Sequence, residues 1–392
     1  MSEPPIGFMQ RRTPWLLVGA YLMLAILLVP VYAHFPSPNE FTRWVLAAAL
    51  VERQSVEVTP EAAMLGPAFE DLAVLHGRTY SNKSPGLALL VLPAYLMARL
   101  FCGPADPTNI RWFLYAMRLL GSTLPLVLLA FCFLRCGRDL GINRGRVTTV
   151  IFALLFATPL FTYGLLLFSH ALVAACLFGA WMLVFMDPHR HAGAVDVMAG
   201  ALMGLAVLSE YTAAASVLVL VAGAVARRRW GCLSRIVAGG LPFAIILGTY
   251  QRVAFGGFFK LSSGFEKFPQ FREVARTGFF GIGLPSPARL LHLLVDPSKG
   301  LLLFSPFLVL VPLAWPTVRR RFDLPAVATL TGVPLITFLS IAGYANWHGG
   351  WTVGPRYLLQ ALPFLLFFLL FLERSRFEDI LLGFGTVAVV LT

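Results

Sequence analysis

Long apolar runs recur along the whole chain, and they constrain its fold more than any other feature. The 392 residues are 58% hydrophobic and only 13% charged, unlike the composition of a water-soluble domain. A helix of about 20 apolar residues crosses a hydrocarbon core about 30 Å thick, whereas the strands of membrane barrels are shorter and alternate in polarity. The sequence therefore predicts an all-α polytopic membrane protein, with a single domain over residues 1–392.

Twelve apolar windows are candidate crossings, and the arginines decide how they are threaded. The windows lie at 14–33, 86–101, 113–135, 148–164, 170–186, 195–209, 211–226, 236–255, 299–317, 324–344, 357–372 and 380–392. If all of them crossed, three later basic clusters would lie on the side opposite to Arg11 and Arg12. These clusters are at 135–146, 227–235 and 319–321. The positive-inside rule rejects that arrangement.

One change restores agreement with that rule. If the short segment 86–101 lies on or dips into the outer face without crossing, every basic cluster becomes cytoplasmic. The sequence then predicts eleven crossings, a cytoplasmic N-terminus, and long outer loops at 34–112 and 256–298. The last window, 380–392, is short for a crossing, so we expect the chain to continue beyond Thr392.

The charge pattern argues against a nucleic-acid partner, and the cysteine pattern argues against a disulfide framework or a metal site. The formal net charge is +12, but the basic residues cluster in short links between apolar windows, which is a topology signal and not a nucleic-acid footprint. The five cysteines lie in or beside apolar segments without the spacing of a disulfide framework or a metal site. We interpret them as packed core residues and expect membrane lipids, not nucleic acid, as partners.

The first outer loop carries the first group of chemically capable residues. Asn39 and Glu40 stand at a predicted helix start, where the helix dipole by itself favours a glutamate. Asp71 follows Glu70, and such an acidic pair is also typical of a solvated helix start. Lys83 precedes Ser-Pro-Gly at the lip of an apolar run, which suits either an anion or an anchor on lipid head groups. Each residue thus has a functional and an ordinary interpretation.

The later outer turns carry a second group. Arg118 lies at the outer end of one span, and His170 lies at the outer end of another. An ionisable group at this depth is costly to bury, so it is usually paired with another group or has a function. A packed, hydrogen-bonded histidine is an equally good interpretation of His170. Glu210 separates two short apolar runs, which indicates a broken or half-depth hairpin. Arg356 ends an aromatic, glycine-rich turn at 344–356, and a guanidinium can bind phosphate bidentately, which a lysine cannot.

Six of these candidates map to the outer face at similar depth, namely Glu40, Asp71, Lys83, Arg118, His170 and Arg356. An acid beside several cations at a lipid–water boundary suits a reaction on a lipid-linked phosphate. The acid would remove a proton from an acceptor hydroxyl, and the cations would stabilise the leaving phosphate. The pattern therefore predicts a transferase that acts on a lipid-linked phosphate.

An ordered series of motifs resembles a known superfamily. The motifs are PNEFTRW, GRTYSNKSPGL, YAMRLL, LFSHALVAACLFGAWML, GALMGLAVLSEYTAA, DPSKGLLLFSP and WHGGWTVGPRYLLQALPF. They resemble the GT-C superfamily of integral membrane glycosyltransferases, and within it the bacterial protein-mannosyltransferase-like and lipid A aminoarabinose-transferase-like branch. The resemblance implies transfer of a sugar from a polyprenyl-phosphate donor to a glycan, lipid or protein acceptor on the periplasmic face of the inner membrane. A groove expected beside segment 86–101 would hold the prenyl chain.

The resemblance also implies roles for individual residues. The superfamily carries an Asp-Glu pair after its first span, and Asn39-Glu40 stands there in this chain, so Glu40 is the expected catalytic base. The related branch has a Tyr-x-Glu-Lys-Pro segment whose lysine meets the lipid phosphate. Tyr80 and Lys83 match that segment, with Asn82 in place of the glutamate. Because both asparagines remove a carboxylate, no two-carboxylate motif supports a divalent metal, whose involvement stays open.

The sequence therefore predicts a polyprenyl-phosphate-dependent glycosyltransferase with no assigned cofactor. Its expected catalytic residues are Glu40 and Asp71, and its expected phosphate ligands are Lys83, Arg118 and Arg356. Further site candidates are Asn39, Arg43, Tyr80, His170, Glu210, His348 and Tyr357.

Two other function classes stay open. A transporter or flippase of an anionic lipid-linked substrate would also need cations in a membrane cavity, and an interrupted hairpin at Glu210 is a feature of transporters. Against this class, the sequence has no paired halves, and its polar groups gather on one side instead of at the midplane. A non-catalytic assembly subunit would leave the acid at Glu40 without a purpose.

Overall fold

The structure, a computed structural model, describes residues 8–28, 37–66, 69, 71–186, 192–227, 230–350 and 352–372. Helices dominate it. In chain order they are α1 (Phe8–Leu28), α2 (Pro38–Arg53), α3 (Thr59–Met64), α4 (Gly86–Leu90), α5 (Leu92–Cys102), α6 (Ile110–Arg118), α7 (Leu124–Asp139), α8 (Arg144–Phe156), α9 (Leu160–Leu165), α10 (His170–Phe185), α11 (Ala192–Ser209), α12 (Ala213–Ala226), α13 (Trp230–Phe255), α14 (Pro269–Arg276), α15 (Pro287–Val295), α16 (Leu301–Phe304), α17 (Val311–Arg321), α18 (Leu324–Gly343) and α19 (Leu362–Leu369). A π-helical turn joins α6 to α7 at Leu119–Thr123, and short 3₁₀ turns lie at Ser262–Phe265, Pro306–Leu310 and Arg356–Ala361. The strands are β1 (Leu72–Leu75) and β2 (Arg78–Ser81).

Within the described ranges, three helical stretches are long and apolar enough to cross a membrane by length and composition. They are Ile110–Asp139, Trp230–Phe255 and Leu324–Gly343. Shorter apolar helices lie at Arg12–Leu28, Leu92–Cys102, His170–Phe185, Gly193–Ser209, Ala213–Ala226 and Arg356–Leu369. The chain is therefore a membrane protein, as the sequence predicts.

The count of eleven crossings stays a prediction, because some of the apolar windows are interrupted. The window 148–164 is divided between α8 and α9, and the window 299–317 between α16, a 3₁₀ turn and α17. Pro306 begins that 3₁₀ turn, and a proline has no amide hydrogen to continue the preceding helix. The final window, 380–392, and the basic residues at 374–376 lie outside the described residues.

The segment predicted to stay on the outer face forms the short helices α4 and α5. The 11 residues of α5 rise about 16 Å, roughly half of a hydrocarbon core of about 30 Å. Arg99 on α5 donates to Glu52 on α2 at 2.8 Å. The Tyr95 ring packs on the Phe113 ring of α6, with centroids 4.6 Å apart. This length and packing agree with a helix that does not cross, while its side of the membrane stays a prediction.

The first outer loop contains a β-hairpin, which corrects the all-α prediction for this segment. β1 and β2 pair antiparallel, with Leu72 opposite Ser81. The residues between the strands, His76 and Gly77, both have positive φ, 49° and 77°. Two-residue turns of this kind match the twist of the flanking strands. The His-Gly pair is therefore the sequence signal that the all-α prediction overlooks.

The second outer loop adds a further backbone connection to this hairpin. Glu266 forms an antiparallel bridge with Ala73 in β1. The Lys267 amide donates to the Leu72 carbonyl at 2.8 Å. Both outer loops therefore share one backbone network, which brings the Glu266 carboxylate next to the residues that follow β2.

Helices α11 and α13 approach each other closely through glycines. A Cβ on Gly200 would lie 2.0 Å from the Ile236 carbonyl oxygen. A Cβ on Gly239 would lie 2.0 Å from the Val197 carbonyl oxygen. Neither position has room for a side chain, and small residues are the usual means of close helix packing in membranes. This contact fixes one side of the cavity described below.

The π-helical turn between α6 and α7 holds the segment that leads into α10. The Ser122 hydroxyl donates to the Phe168 carbonyl at 3.2 Å, and the Thr123 hydroxyl donates to the Gly164 carbonyl at 2.8 Å. Single π turns inside α-helices occur frequently at functional sites. Here the turn fixes the backbone directly before His170.

Candidate functional site

A large cavity collects most of the predicted site residues. Its volume is about 1280 Å³, and its wall comes mainly from α11, α12, α13, α18 and the outer loops. The predicted residues on this wall are Asn39, Arg43, Lys83, His170, Glu210, Arg356 and Tyr357. Asn82 and Glu266 line it as well.

The remainder of the wall is apolar and belongs mainly to α12 and α13. Val237, Leu241 and Ile245 line it along α13 at helical spacing. From Ile236 to Gln251 the wall follows this helix for about 22 Å. Leu241 and Ile245 are 52% and 58% exposed, so the other described residues leave this side of α13 largely uncovered.

The apolar cavity does not lie beside segment 86–101, where the sequence predicts the prenyl groove. That segment, all of it described, contributes no residue to the cavity wall. Its helices α4 and α5 pack instead on α2, α6 and α11. Asn82 and Lys83, which come just before α4, do reach the cavity.

The motif after Lys83 fixes the start of α4 against the end of α11. The Ser84 hydroxyl donates to the Leu208 carbonyl at 2.5 Å. A Cβ on Gly86 would lie 2.6 Å from the same oxygen, so only a glycine allows this approach. Lys83 is consequently held close to the turn that carries Glu210.

Lys83 forms an ion pair with Asp71 at the edge of the cavity. Its Nζ lies 2.8 Å from Asp71 Oδ1, because the hairpin brings together the residues before β1 and after β2. Burial by itself would raise the pKa of Asp71, but the Lys83 ammonium and hydrogen bonds from Lys83 and Asn82 lower it below its ordinary value. Asp71 therefore stays ionised and fixes the lysine. Glu70, its predicted partner in an acidic pair, lies outside the described residues.

Asn82 connects this ion pair to another carboxylate. Its Nδ2 donates to Asp71 Oδ1 at 2.7 Å and to Glu266 Oε2 at 2.9 Å. Its Oδ1 accepts from the Thr42 hydroxyl at 3.2 Å. The reverse amide orientation would place the carbonyl oxygen against two carboxylates, so these partners determine the orientation. The neutral Asn82 side chain thus connects two carboxylates through hydrogen bonds. A glutamate at this position would instead place a third carboxylate beside them.

Glu266 is a site residue that the sequence prediction missed. The available clue is a carboxylate inside the aromatic stretch Phe-Glu-Lys-Phe at 265–268. Burial raises the pKa of Glu266 to about 7, although the Lys83 ammonium and the Asn82 hydrogen bond act in the opposite direction. The nearby charge of Asp71 adds to the rise. Glu266 therefore changes protonation near neutral pH, whereas Asp71 does not.

Arg43 anchors a second polar cluster on the cavity wall. Asn39, one turn earlier on α2, accepts from Arg43 Nη1 with its side-chain oxygen at 2.5 Å and its backbone oxygen at 2.6 Å. Arg43 Nη2 donates to Ser169 Oγ at 3.2 Å, and Ser169 Oγ donates to Glu210 Oε2 at 2.7 Å. Glu210 lies in the tight turn between α11 and α12, so the predicted broken hairpin is two helices joined by a turn at the cavity.

Arg356 is a third cation at the same end of the cavity. Its guanidinium lies 4.8 Å from the centroid of the Tyr357 ring, and its Nη2 donates to Tyr357 Oη at 3.0 Å. The charges of Arg356, Arg43 and Lys83 all act on the buried ring of His170. Nε of Arg43 and of Arg356 is buried without a hydrogen-bond partner among the described residues. Three cations therefore converge here, and two of them keep an unused donor.

A buried lysine holds the backbone that presents Arg356. Lys299 Nζ donates to the Gly350 carbonyl at 3.0 Å and to the Thr352 carbonyl. Gly350 and Gly354 have φ values of 72° and 61°, in the left-handed region that favours glycine. The last outer turn is thus shaped by its glycines and tied to the start of α16 by Lys299.

Glu40 and Arg118 lie outside the cavity wall. Arg118 Nε and Nη2 donate to the two oxygens of Glu40 at 2.7 and 2.8 Å, and the Leu167 amide donates to Glu40 Oε1 at 2.6 Å. The side chains of Glu40 and Arg118 are almost fully buried, with 1% and 3% exposed. This geometry does not support a catalytic base at Glu40 or a phosphate ligand at Arg118, because each charge is already neutralised by the other.

Tyr80 and His348 also lie away from the cavity wall. The Tyr80 ring packs on the Phe255 ring, with centroids 5.6 Å apart. His348 Nδ1 accepts from the Gly350 amide at 3.0 Å within the last outer turn. Both residues therefore have structural contacts that account for their positions.

The described part of the chain contains no group of three or more His, Cys, Asp or Glu side chains that could hold a metal ion. Asp71 and Glu266 share the Asn82 side-chain amide as a hydrogen-bond donor. The amide hydrogens of Asn82 occupy the space between them, where a metal would need acceptor atoms.

Comparison with known proteins identifies a similar fold. The crystal structure of ArnT from Cupriavidus metallidurans bound to undecaprenyl phosphate matches with a TM-score of 0.53 and 15% sequence identity. The match covers 91% of this chain and 59% of the ArnT chain, so this chain spans about three fifths of that protein's length. No family model and no curated protein matches this sequence. At this identity the likeness shows the fold alone, which is the GT-C fold that the sequence resemblance predicts.

Proposed function

We propose that this chain is a glycosyltransferase that takes its sugar from a polyprenyl-phosphate donor. The observation that carries the proposal is a single cavity of about 1280 Å³ with cations at one end and an apolar wall along the rest. A lipid-linked phosphate needs both features together. The similar fold of ArnT, solved with undecaprenyl phosphate, supports the same ligand class.

Arg43, Lys83 and Arg356 are the proposed ligands of the donor phosphate. All three line the cavity, and the Nε atoms of the two arginines have no partner among the described residues. Guanidinium groups bind phosphate oxygens through paired donors, whereas the lysine supplies a compact positive charge. Charges of this kind stabilise the phosphate as it leaves the anomeric carbon.

The prenyl chain is proposed to lie along α12 and α13. The apolar wall follows α13 for about 22 Å, a large part of a hydrocarbon core of about 30 Å. Its open side would let a donor enter from the bilayer without leaving the hydrocarbon. Multiple crossings of the inner membrane and a periplasmic site agree with this arrangement and are part of the proposal.

Three predicted residues take supporting roles in this proposal. Asp71 holds Lys83 in place through their ion pair. Glu40 and Arg118 fix α2 to α6 and to the backbone at Leu167, which positions Arg43 one turn further along α2. A base role for Glu40 would require this buried pair to open.

Release of polyprenyl phosphate from a labelled donor tests the proposal. The purified protein in nanodiscs would receive undecaprenyl phosphate carrying glucose, mannose or N-acetylglucosamine, with glycerol or water supplying the acceptor hydroxyl. The released lipid phosphate would be measured by mass spectrometry. We expect Lys83→Ala and Arg356→Ala to reduce release and to weaken binding of undecaprenyl phosphate. Arg78→Ala, which removes an exposed cation from β2, is the matched control and should leave both unchanged.

The same experiment separates a transferase from the flippase alternative. A flippase would bind undecaprenyl phosphate through the same cations and move the intact donor across the bilayer. Binding without release of lipid phosphate from any donor would therefore overturn the transferase proposal, and absence of binding would overturn both.

A further inference from the structure

We propose that Glu266 is the general base of the sugar transfer, an assignment that rests on the function proposed above. Glu266 lies on the cavity wall and belongs to the second outer loop, while the cations come from other segments. Its Oε2 is fixed by Asn82 Nδ2 at 2.9 Å. No hydrogen bond from the described residues reaches its Oε1. One oxygen thus orients the carboxylate, and the other is available to an acceptor hydroxyl.

The other carboxylates near the cavity are less suited to the step. Both oxygens of Glu40 are engaged in a closed pair with Arg118. Asp71 is ion-paired to Lys83 at 2.8 Å, and a carboxylate held ionised in this way is a weak base. Glu210 accepts from Ser169, through which it supports the position of Arg43. Glu266 makes no ion pair among the described residues.

The surroundings of Glu266 fit a group that exchanges a proton near neutral pH. The charged and titratable groups that act on it are Lys83 and Asp71, and Tyr344 is also close enough to sense its charge. Burial raises the pKa of Glu266 to about 7. A general base is most effective when its pKa lies close to the working pH, so this environment suits the task.

The step balances as an inverting displacement. The ionised Glu266 carboxylate takes the proton of an acceptor hydroxyl, and that oxygen forms a bond to the anomeric carbon of the sugar. The bond between the anomeric carbon and the phosphate oxygen breaks, and its electron pair goes to the phosphate. Arg43, Lys83 and Arg356 stabilise the lipid phosphate that leaves, and Glu266 later loses its proton to water.

In this arrangement Asn82 orients the proposed base. It stands where the resemblance expects a glutamate, and its amide donates to Glu266 and Asp71 at 2.9 and 2.7 Å. A glutamate at position 82 could not donate to Glu266 and would add a third negative charge. The carboxylate that position 82 lacks is thus supplied by a distant segment of the chain.

Lipid phosphate release measured against pH tests the inference with the same three sugar donors. For the wild type, we expect the rate to rise with pH around a midpoint near 7, because the base must be ionised. Glu266→Gln should lower the rate by about 100-fold or more and remove this limb of the profile. The affinity of the Glu266→Gln variant for undecaprenyl phosphate, measured by thermal shift, should equal that of the wild type. Glu273→Gln, an exposed carboxylate in the same loop, is the matched control and should keep the wild-type profile.

Restoration of activity distinguishes a proton-transfer role from a structural one. Added formate should restore the release of lipid phosphate by the Glu266→Ala variant, because a small carboxylate can occupy the vacated space. Formate should not restore release by the Lys83→Ala variant. Wild-type rates and pH dependence in Glu266→Gln would overturn the inference while leaving the transferase proposal intact. Failure of the wild type to release lipid phosphate from any donor would overturn both.

Discussion

Arg118 closes a buried bidentate pair on Glu40, with Nε and Nη2 lying 2.7 and 2.8 Å from the two carboxylate oxygens. The Leu167 amide adds a third contact to Glu40 at 2.6 Å. A helix of the first outer loop is thereby fixed to the segment that carries Ser169 and His170. Both oxygens of the acid that the superfamily resemblance assigns to catalysis are thus occupied by contacts within the protein.

Replacement of Glu40 tests that link directly. Glu40→Gln removes the carboxylate charge that Arg118 Nε and Nη2 contact, and breaking a buried pair in this way costs about 3–5 kcal/mol. We expect a clear fall in the thermal unfolding temperature in detergent, with Glu273→Gln as the control that removes an exposed carboxylate. Normal thermal stability combined with abolished sugar transfer would instead restore Glu40 as the catalytic base.

Tryptophan substitution on α13 tests where the prenyl chain lies. Ala244 lines the apolar wall and Ile246 does not, although the two are close together on the helix. Ala244→Trp should obstruct the cavity and weaken binding of undecaprenyl phosphate about tenfold or more, corresponding to about 1.4 kcal/mol. Ile246→Trp should leave binding unchanged. Equal affinities for the two variants in a native mass-spectrometry titration would show that the prenyl chain lies elsewhere.

The glycine contact between α11 and α13 gives a stability prediction. Gly200→Val cannot be accommodated, because even a Cβ would lie 2.0 Å from the Ile236 carbonyl oxygen. The helices would have to separate, which should lower the unfolding temperature and widen the cavity. Gly193→Val on the same helix is the control, since nothing among the described residues lies within 4 Å of its Cβ. An unchanged melting curve for Gly200→Val would contradict the close packing.

The pH dependence of stability follows from the pKa of Glu266, which is raised from 4.5 to about 7 in the folded protein. An acid with a raised pKa binds its proton more tightly when folded, so its contribution to stability is greatest below about pH 4.5 and declines until about pH 7. The shift corresponds to a loss of at most about 3 kcal/mol across this interval. Glu266→Gln imitates the protonated form and should remove this decline.

Melting temperatures of the wild type and of Glu266→Gln, recorded between pH 4 and pH 8, would measure the effect. The two curves should agree at the acidic end and separate as the pH rises, with the variant more stable near neutral pH. Parallel curves over the whole range would show that Glu266 is not held in a buried environment.

The sequence predicts the parts of this molecule that depend on composition and on local charge. The membrane fold, the shortness of the helices in segment 86–101, and the choice of Lys83 and Arg356, which line one cavity, follow from apolar length, positive charge and proline or glycine positions. The roles of the carboxylates do not follow, because they depend on which partner is nearest in space. Glu40 meets Arg118, which lies 78 residues further along the chain. The sequence around Glu40 and around Arg118 does not predict that contact.

Glu266 shows the same limit more sharply. Its position depends on a backbone bridge between Ala73 and the second outer loop, which hydropathy and helical periodicity do not describe. The two-residue His-Gly turn between β1 and β2 is a sequence signal, but it concerns only the hairpin. Glu266 forms only an isolated bridge with Ala73, and the segment around it has no apolar alternation, so single-sequence reasoning leaves Glu266 among ordinary loop residues.

The pairing of the outer loops also determines when the proposed reacting group comes into being during synthesis. Asn82 and Glu266 are 184 residues apart, and several apolar helices lie between them. The hairpin must therefore leave the ribosome before those helices enter the bilayer, and the Asn82 amide and the Leu72 carbonyl gain their partners in the later loop only afterwards. A chain that ended before residue 266 would contain every proposed phosphate ligand except Arg356. It would still lack Glu266, to which we assign proton removal.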